Sequence, residues 1–300
     1  MTVKKSHRRS TSGACAVAGF LAAAVVLAGC GTETDSASEE PTTTPSESVA
    51  SETPTETPSE TASEAPAASS LVYFVVDTRA GLRLAREPRE LSGESGAAAA
   101  VEAMIAGPED PDYTSTWSPD TEVLGVTQEG DTIVVDLSEE ARTANVGSPG
   151  AAAMIQQLVW TATEVVDPEA TVQLTIAGQP AGELWGAVAW DEPIGRQAAD
   201  EVRMFVGIDS LAEGAVVSSP VEVSGLANAF EATVPWQVLD EQGKKVEKGF
   251  TNAAEGMVFS EYSFTVELEP GTYTIEVSED DPSGGEAGEP MSDSRTVTVE

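Results

Sequence analysis

The chain has 300 residues, of which 51 are Asp or Glu and 15 are Lys or Arg, so its formal net charge is −36 at pH 7. This negative field repels nucleic-acid phosphates and anionic lipid headgroups, which excludes a nucleic-acid partner and disfavours adsorption onto a membrane surface. The chain contains one histidine, His7, and two cysteines, Cys15 and Cys30. Few side chains are therefore available for metal binding or nucleophilic catalysis.

The first 29 residues have the layout of an export signal. A basic segment at 4–9 precedes an uncharged run from 13 to 27, which is shorter than the about 20 apolar residues that a membrane-spanning helix needs. The run ends in a sequence that resembles the bacterial lipobox, Leu27-Ala28-Gly29-Cys30. This resemblance implies cleavage before Cys30 and a lipid, with palmitate, on that residue. The alternatives are an ordinary signal peptide that contains a cysteine and a core helix in which Cys30 packs as a small apolar side chain.

Cleavage at Cys30 would change the chemistry of the mature chain. It would remove His7, Cys15 and four basic residues but no acidic residue, leaving 11 basic against 51 acidic residues. A chain without histidine and with one cysteine has no Ser-His-Asp or Cys-His nucleophile, no usual zinc site and no internal disulfide. We therefore expect a non-enzymatic protein without cofactor or metal, anchored by lipid on the extracytoplasmic face of the cell membrane.

Residues 30–69 have the composition of a disordered linker. They are rich in Thr, Ser, Glu and Pro and contain no aromatic or basic residue. A four-residue repeat runs from Ser51 to Pro66 and begins Ser51-Glu52-Thr53-Pro54. Such a segment cannot build a core, and proline and like charges extend it. We expect this stalk to hold the folded part away from the membrane.

Residues 70–195 are predicted to form an α+β domain. The pattern gives strands at 71–76 and 82–86, a helix at 97–106, strands at 123–127 and 132–137, a longer helix and then a strand at 171–176. Ser148-Pro149 offers the longer helix an N-cap and a first-turn proline, and its apolar positions from Ala151 to Val166 keep a 3.6-residue period. The order β-β-α-β-β-α-β predicts a sandwich with helices on one sheet face.

Residues 206–300 show only strand patterns, about seven at regular spacing, which predicts an all-β immunoglobulin-like sandwich. Alternation from Phe230 to Val238 places Phe230, Val234 and Trp236 on one face. The segment between the two domains, 194–205, contains Met204 and Phe205 and is more apolar than a free linker. We therefore expect the two domains to pack against each other.

Both halves resemble known families. The first resembles the GerMN domain of sporulation and spore-germination proteins, on the motifs Ala103-Met104-Ile105-Ala106-Gly107-Pro108, Val134-Val135-Asp136-Leu137-Ser138 and Gln156-Gln157-Leu158. The second resembles the immunoglobulin-like domain found beside GerMN, on the motifs Ser218-Ser219-Pro220-Val221, Val223-Ser224-Gly225 and Tyr262-Ser263-Phe264. This resemblance implies a non-catalytic envelope protein.

Acidic and aromatic residues supply the remaining site candidates. A paired-carboxylate glycosidase would draw on Asp110, Asp112, Asp120 and Asp136, although an acid-rich surface explains them better. The acidic loop Glu279-Asp280-Asp281 with Glu286 and Glu289 could bind calcium, but its spacing fits no EF-hand, and a soluble edge loop is the simpler interpretation. Tryptophans that could stack on a glycan or pack in the core stand at 117, 160, 185 and 190.

Two functions of different class follow. The first is a membrane-anchored scaffold that binds a protein partner in the cell envelope. The second is a cell-wall polymer binding protein, with peptidoglycan or glycan as partner, or a carboxylate-dependent wall hydrolase. The second depends on the stalk and on Trp117, whose place in a loop predicts exposure.

Overall fold

The structure is a computed structural model that describes residues 68–91, 96–283, 286 and 288–300. The predicted signal peptide, the lipobox residues Leu27, Ala28 and Gly29, the lipidation site Cys30 and the predicted linker up to residue 67 lie outside the described residues. Among the described residues, no helix has both the length and the apolar character needed to cross a membrane.

The predicted order of elements in the first half is confirmed, and short strands follow it. The elements are β1 (Ala68–Thr78), β2 (Gly81–Leu91), α1 (Gly96–Ala106), β3 (Val123–Glu129), β4 (Thr132–Leu137), α2 (Ser148–Val166), β5 (Thr171–Ile176), β6 (Gln179–Pro180), β7 (Gly182–Leu184) and β8 (Val188–Trp190). The strands form a β1-β2 hairpin, a four-stranded sheet in the order β3-β4-β5-β6 and a β7-β8 hairpin. β4 and β5 are parallel because α2 connects them as a crossover.

Helix α2 is buried along most of its length because it packs on two sides. Pro149 stands in its first turn, where a missing amide proton costs no helical hydrogen bond. Leu158 and Ala162 belong to the main core of this half. Gln157 Nε2 donates to the Tyr73 carbonyl over 3.0 Å, and this polar contact ties the helix to β1. Fixing α2 therefore also fixes the β1-β2 hairpin.

The second half is all-β apart from two short helical turns, one at Ala199–Val202 and a 3-10 turn at Phe230–Ala232. Its elements are α3 (Ala199–Val202), β9 (Val206–Ile208), β10 (Ala215–Val217), β11 (Val221–Ala227), β12 (Thr233–Asp240), β13 (Lys245–Asn252), β14 (Ser260–Val266), β15 (Gly271–Ser278) and β16 (Ser292–Val299). Two sheets, ordered β10-β16-β15-β12-β13 and β14-β11-β9, enclose one core. This is the predicted sandwich, with β9 added at the start of the predicted domain, where the sequence predicts no strand.

The prediction that Phe230 shares a strand face with Val234 and Trp236 is wrong. Phe230–Ala232 form a short 3-10 turn with positive φ at Glu231 and Ala232, and β12 begins only at Thr233. The break in regular strand conformation leaves Phe230 46% exposed. Trp236, in contrast, packs against the core and stacks on Phe264 with ring centroids 4.7 Å apart.

All described residues belong to one compact unit, and the predicted packing of the junction is confirmed. Met204 and Met291 are buried in the main core of the first half. The ring of Phe205 meets that of Phe259 edge to face at a centroid distance of 6.4 Å. The two halves are therefore joined by apolar contacts as well as by the chain.

Gly225 permits the close approach of β9 to β11. A Cβ atom at this position would lie 1.9 Å from the carbonyl oxygen of Gly207 and 3.0 Å from the hydroxyl of Tyr262. That hydroxyl donates to the same carbonyl over 2.9 Å. Only glycine fits at this point without separating the two strands.

We predict that Gly225→Ala lowers the free energy of unfolding by about 1–3 kcal/mol, because the new methyl group overpacks the β9-β11 pair. Gly125→Ala is the control, since no heavy atom lies within 4 Å of its added Cβ. Urea denaturation measures both. Equal stability of Gly225→Ala and the unsubstituted protein would show that β9 shifts without cost.

Candidate functional site

A fully buried arginine joins the two halves of the molecule. Nη1 of Arg295, on β16, donates to Asp110 over 2.6 Å, to Asp293 over 2.8 Å and to the Tyr113 hydroxyl over 3.0 Å. Its Nη2 donates to the backbone carbonyl of Arg86 over 2.9 Å. Asp110, Tyr113 and Arg86 belong to the first half, so one guanidinium binds both halves.

The Asp110 turn is shaped by the sequence after α1. Gly107 adopts a φ of 99° as the helix ends. Asp110 then accepts the Asp112 amide over 2.8 Å, in the manner of an Asx turn. The carboxylate of Glu87, 2% exposed, accepts the amides of Glu109 and Asp110 over 3.1 Å each. This local network presents the Asp110 carboxylate to Arg295.

Asp293 continues the connection to the neighbouring strand. One of its oxygens accepts the Tyr113 hydroxyl, and the other accepts the Ile208 amide of β9 over 2.6 Å. Asp293 and Arg295 lie on the same buried face of β16 as Val297 and Val299, at every second position of the strand. The charged pair thus occupies the inward-facing positions of an ordinary strand.

Burial controls the protonation behaviour of this cluster. It raises the pKa of Asp110 to about 6, against the lowering effects of the Asp112 amide and of Arg295. It also raises the pKa of Tyr113 well above its ordinary value, and Asp293 adds to that effect. Burial alone would lower the pKa of Arg295, but Asp293 and Tyr113 raise it above its usual range. The enclosed groups bind one another, so the cluster suits domain attachment better than acid-base chemistry on an external substrate.

A second ion pair lies at the wall of an open groove. Arg86 of β2, which is buried, pairs with Asp209, which follows β9. The groove has a volume of about 770 Å³. Its lining residues come from both halves and are Leu71, Arg86, Asp209, Ser224, Gly225, Leu226, Asn252, Ala254, Glu261, Tyr262 and Ser263.

A third contact between the two halves is formed by an arginine, Arg203, and aromatic rings. The Arg203 guanidinium lies 4.5 Å from the ring centroid of Phe259 and 5.4 Å from that of Trp160. Burial, and then repulsion by Arg86, lower the pKa of Arg203 to about 10. Because Trp160 belongs to the first half and Phe259 to the second, this stack also crosses the junction.

The four carboxylates considered for glycoside hydrolysis lie in three separate places. Asp110 and Asp112 share one turn, and the Ser294 hydroxyl donates to Asp112 over 3.2 Å. Asp136 accepts the Thr175 hydroxyl and the Gly178 amide, each over 2.9 Å. Asp120 is exposed in another loop.

The predicted exposure of Trp117 is wrong, because the loop that carries it folds over the core. Trp117 is 3% exposed and meets the ring of Trp185 edge to face. Trp160 and Trp190 are also buried, and Trp185 is half-buried. These tryptophans form core contacts and offer no open stacking platform for a glycan.

The acidic loop before β16 is tied to the first half. Glu279 pairs with Arg79, at the β1-β2 turn, over 2.8 Å and accepts the Met291 amide over 2.7 Å. Within the described part of the chain, no three His, Cys, Asp or Glu residues converge as metal ligands. Glu286 and Glu289 are exposed, while residues 284, 285 and 287 of this loop lie outside the described residues.

Sequence reasoning missed the residues that build the junction: Arg86, Tyr113, Arg203, Asp209, Asp293 and Arg295. The sequence of β16 contains a pattern that indicates two of them, because Asp293 and Arg295 continue the two-residue period of the inward-facing valines. The sequence pattern predicts this strand only over 295–299, which excludes Asp293.

Comparison with known proteins supports the two resemblances. Residues 71–182 match the family described as sporulation and spore germination, and residues 205–286 match the immunoglobulin-like domain of bacterial spore germination. No curated protein matches the chain. The two family matches confirm the resemblance that the motifs predict, while the domain boundaries at 29, 69, 195 and 206 stay predictions.

Three solved structures are similar to parts of the chain. The first GerMN domain of the sporulation protein GerM from Bacillus subtilis is 19% identical, with 41% of this chain and 96% of that chain covered and a TM-score of 0.33. A candidate lipoprotein from Clostridium perfringens is 18% identical, with 43% and 88% covered and a TM-score of 0.30. The tandem GerMN domains of GerM are 16% identical, with 67% and 62% covered and a TM-score of 0.32.

The raised pKa of Asp110 predicts a pH dependence of stability. With this pKa at about 6, the folded protein keeps a proton between about pH 4 and pH 6 that the unfolded chain has released. The free energy of unfolding should therefore fall as pH rises through this window, by on the order of 2 kcal/mol from this group. Asp110→Asn, which resembles the protonated acid, should lose this contribution.

Chemical denaturation across this pH range, with the unsubstituted protein, Asp110→Asn and the exposed-site control Asp120→Asn, tests the prediction. Subtracting each variant's profile of unfolding free energy against pH from that of the unsubstituted protein removes the titration that all three proteins share. Parallel profiles for the unsubstituted protein and Asp110→Asn would contradict it.

Proposed function

We propose that this chain, in which a sporulation and spore germination domain precedes an immunoglobulin-like domain of bacterial spore germination, is a non-catalytic scaffold of the cell envelope. A lipid on Cys30 anchors it to the extracytoplasmic face of the membrane. Its folded part binds a partner protein through a surface that both domains build. It needs no cofactor and no reaction centre for this role.

The buried contact of Arg295 with Asp110 and Asp293 is the observation that carries the proposal. A guanidinium that is removed from water requires partners in suitable geometry, and loss of one partner leaves an uncompensated charge. The two halves are therefore held in one arrangement. A fixed arrangement favours a composite binding surface over two independently moving modules.

The groove supports the same role. Leu71 and Arg86 line it from the first half, and Asn252, Glu261 and Ser263 line it from the second. Any change in the angle between the halves would alter its shape. A partner that fits this groove would recognise the assembled pair and not either domain alone.

The chemistry of the described residues supports a binding role over catalysis. The carboxylates of Asp110 and Asp293 are paired inside the junction, and that of Asp136 accepts two hydrogen bonds. The alternative of a wall-polymer binder or hydrolase rests on the stalk and on an exposed Trp117, and Trp117 is instead a core residue. A pull-down from solubilised membranes, compared with a pull-down on purified peptidoglycan, separates the two functions.

We predict that Cys30→Ala abolishes lipid attachment, because Cys30 is the only cysteine after the predicted cleavage site. Metabolic labelling with an alkyne fatty acid, followed by gel fluorescence, measures attachment. Cys15→Ala is the matched control and should label normally. Persistent labelling of Cys30→Ala would refute the anchor.

We predict that Phe205→Ala loosens the arrangement of the halves and weakens capture of the partner, because it removes the ring that contacts Phe259. Met204→Ala is a poorer test, since Met204 lies in the core of the first half and its loss should destabilise that half. Leu124→Ala, at a residue that is 51% exposed, is the control.

Solution scattering on the full chain and membrane pull-downs measure the two effects. The expected result is a broader distribution of interatomic distances and weaker capture for Phe205→Ala only, with unchanged circular dichroism. Unchanged scattering together with unchanged capture would refute the composite surface.

A further inference from the structure

Two turns of the second half expose apolar side chains beside each other. Phe230 stands on the 3-10 turn before β12, and Met257 and Val258 stand on the connection from β13 to β14. Their exposed fractions are 46%, 68% and 47%. The Met257 amide donates to the Ala229 carbonyl over 2.9 Å, so the backbones of the two turns are in contact. We call these three exposed side chains the turn patch.

Gly256 permits the close contact of the two turns. A Cβ atom at this position would lie 2.8 Å from the amide nitrogen of Ala232 and 3.5 Å from the carbonyl oxygen of Ala229. A larger residue would therefore separate the turns. The side chains of the turn patch share one region of the surface because the backbone brings the turns together.

The backbone of both turns adopts a conformation that is rare for L-amino acids. The φ angles are 50° at Glu231, 59° at Ala232 and 63° at Met257. None of these residues is glycine, and a left-handed conformation costs free energy for any residue with a Cβ atom. Strain of this kind is concentrated at binding sites and other functional positions. A turn shaped by stability alone would have glycine at position 257.

The turn patch differs from ordinary exposure of apolar residues. Single exposed apolar side chains are common on protein surfaces, whereas these three adjoin one another on strained backbone. Ala254, in the same connection as Met257, lines the groove between the halves. Phe259, next to Val258, contacts the ring of Phe205 at the junction. The turn patch is therefore continuous with the composite surface.

The charge of the two turns indicates what covers the patch. Residues 228–232 and 253–261 include three glutamates and no lysine, arginine or histidine, so their formal charge is −3. The three are Glu231, Glu255 and Glu261, and all are exposed. Within the part of the chain that the structure describes, none of them forms an ion pair. Exposed apolar side chains beside such carboxylates match a partner whose apolar side chains are flanked by positive charges.

The arginines at the neighbouring junction do not reverse this charge. Arg203 is buried and Arg83 is half-buried. Nη1 of Arg83 donates to the Asp200 carbonyl over 2.9 Å, which places Arg83 beside α3. The carboxylates of Asp200 and Glu201, both exposed on α3, balance the two guanidinium charges. The surface around the turn patch is therefore acidic.

We propose that the turn patch binds a basic, amphipathic segment of a partner protein. Apolar side chains of that segment cover Phe230, Met257 and Val258, and its lysines or arginines contact the three glutamates. This inference rests on the proposed scaffold function and names the chemistry of its partner.

Two other occupants fit the turn patch less well. A second copy of the chain would bring its own three glutamates against these, and each copy has a formal charge of −36. A membrane with anionic headgroups would meet the same repulsion. A basic segment is the occupant that both the local and the overall charge attract.

Oxidation of Met257 by hydrogen peroxide measures whether the patch is covered. The other methionines that the structure describes, at 104, 154, 204 and 291, are buried, so peroxide should oxidise Met257 first. The full-length protein is held in nanodiscs of zwitterionic lipid, and mass spectrometry follows sulfoxide formation as an amphipathic peptide of Leu and Lys in helical spacing is added. Empty nanodiscs correct for peptide that binds lipid. Two control peptides have Ser for Leu or Glu for Lys.

The variants separate the apolar contact from the charge contact. Leu124→Ser, at an exposed residue of the first half, is the control for the apolar variants. Asp120→Asn/Glu129→Gln/Asp131→Asn removes three exposed acidic charges elsewhere and is the charge-matched control. Thermal unfolding checks that each variant is folded. The patch variants are Phe230→Ser, Val258→Ser and Glu231→Gln/Glu255→Gln/Glu261→Gln.

We expect the Leu-Lys peptide to slow oxidation of Met257 at least about fivefold and both control peptides to leave it unchanged. The triple glutamine variant should weaken the peptide's apparent affinity at least about tenfold, and Phe230→Ser about fivefold. Both control variants should stay within about twofold, and added salt should weaken binding. Equal protection by either control peptide, or unchanged affinity of the triple glutamine variant, would overturn the proposal.

Met257→Gly tests whether the side chain serves binding or stability. Glycine takes a φ of 63° without steric cost, so this variant should melt at a temperature no lower than the unsubstituted protein. Met257→Ala, which keeps the Cβ atom, is the matched control and should melt below Met257→Gly. A lower melting temperature of Met257→Gly than of the unsubstituted protein would assign Met257 to stability and overturn the proposal.

The same oxidation assay identifies the other occupants. Protection of Met257 without peptide would overturn the inference, by pointing to a membrane if it needs anionic lipid and to a second copy if it grows with protein concentration. If the peptide leaves Met257 unprotected while Phe205→Ala still loses its partner, the scaffold function stands and this inference fails.

Discussion

The joined arrangement of the two halves depends on the burial of one charged group, the Arg295 guanidinium. Arg295 is 0% exposed, and its partners Asp110 and Asp293 are 2% and 3% exposed. Removing charges from water is costly, so this cluster is stable only when both halves supply their groups together. A guanidinium suits this task better than an ammonium, because its planar donors reach several acceptors in fixed directions. The junction, the groove beside it and any surface shared by the halves follow from this constraint.

The positions of the arginines explain part of the charge pattern. A formal charge of −36 by itself indicates only a soluble, nucleic-acid-repelling chain. The structure shows that arginines hold acidic segments together, as Arg79 does with Glu279 and Arg86 with Asp209. Lys244, Lys245 and Lys248 are exposed on the β12-β13 hairpin. Arginine thus serves mainly the interior and the junctions.

Joining the two domains in one compact unit changes what each can do. The first domain contributes buried tryptophans and a helix that fixes its hairpin, and the second contributes an edge strand and one wall of the groove. Neither domain alone encloses Arg295 or shapes the groove. These contacts, and the carboxylates that are engaged in structure, support the proposed scaffold function.

Local periodicity determined the elements: the sequence pattern predicts β5 at Thr171–Ile176 as the structure has it. It also predicts the body of α2 up to Val166, although Ser148, the predicted N-cap, is the first helical residue and Gly147 is the N-cap. The tertiary structure decided the junction, because Arg295 and Asp110 are 185 residues apart, and no spacing rule connects them. It also placed Trp117 in the core, because the loop that carries Trp117 folds over other residues. It placed Phe230 outside the core, because the backbone forms a turn there and β12 begins only afterwards. The physical reason is that neighbours along the chain fix helix and strand periods, whereas burial of a charge or a ring requires groups that only folding brings together.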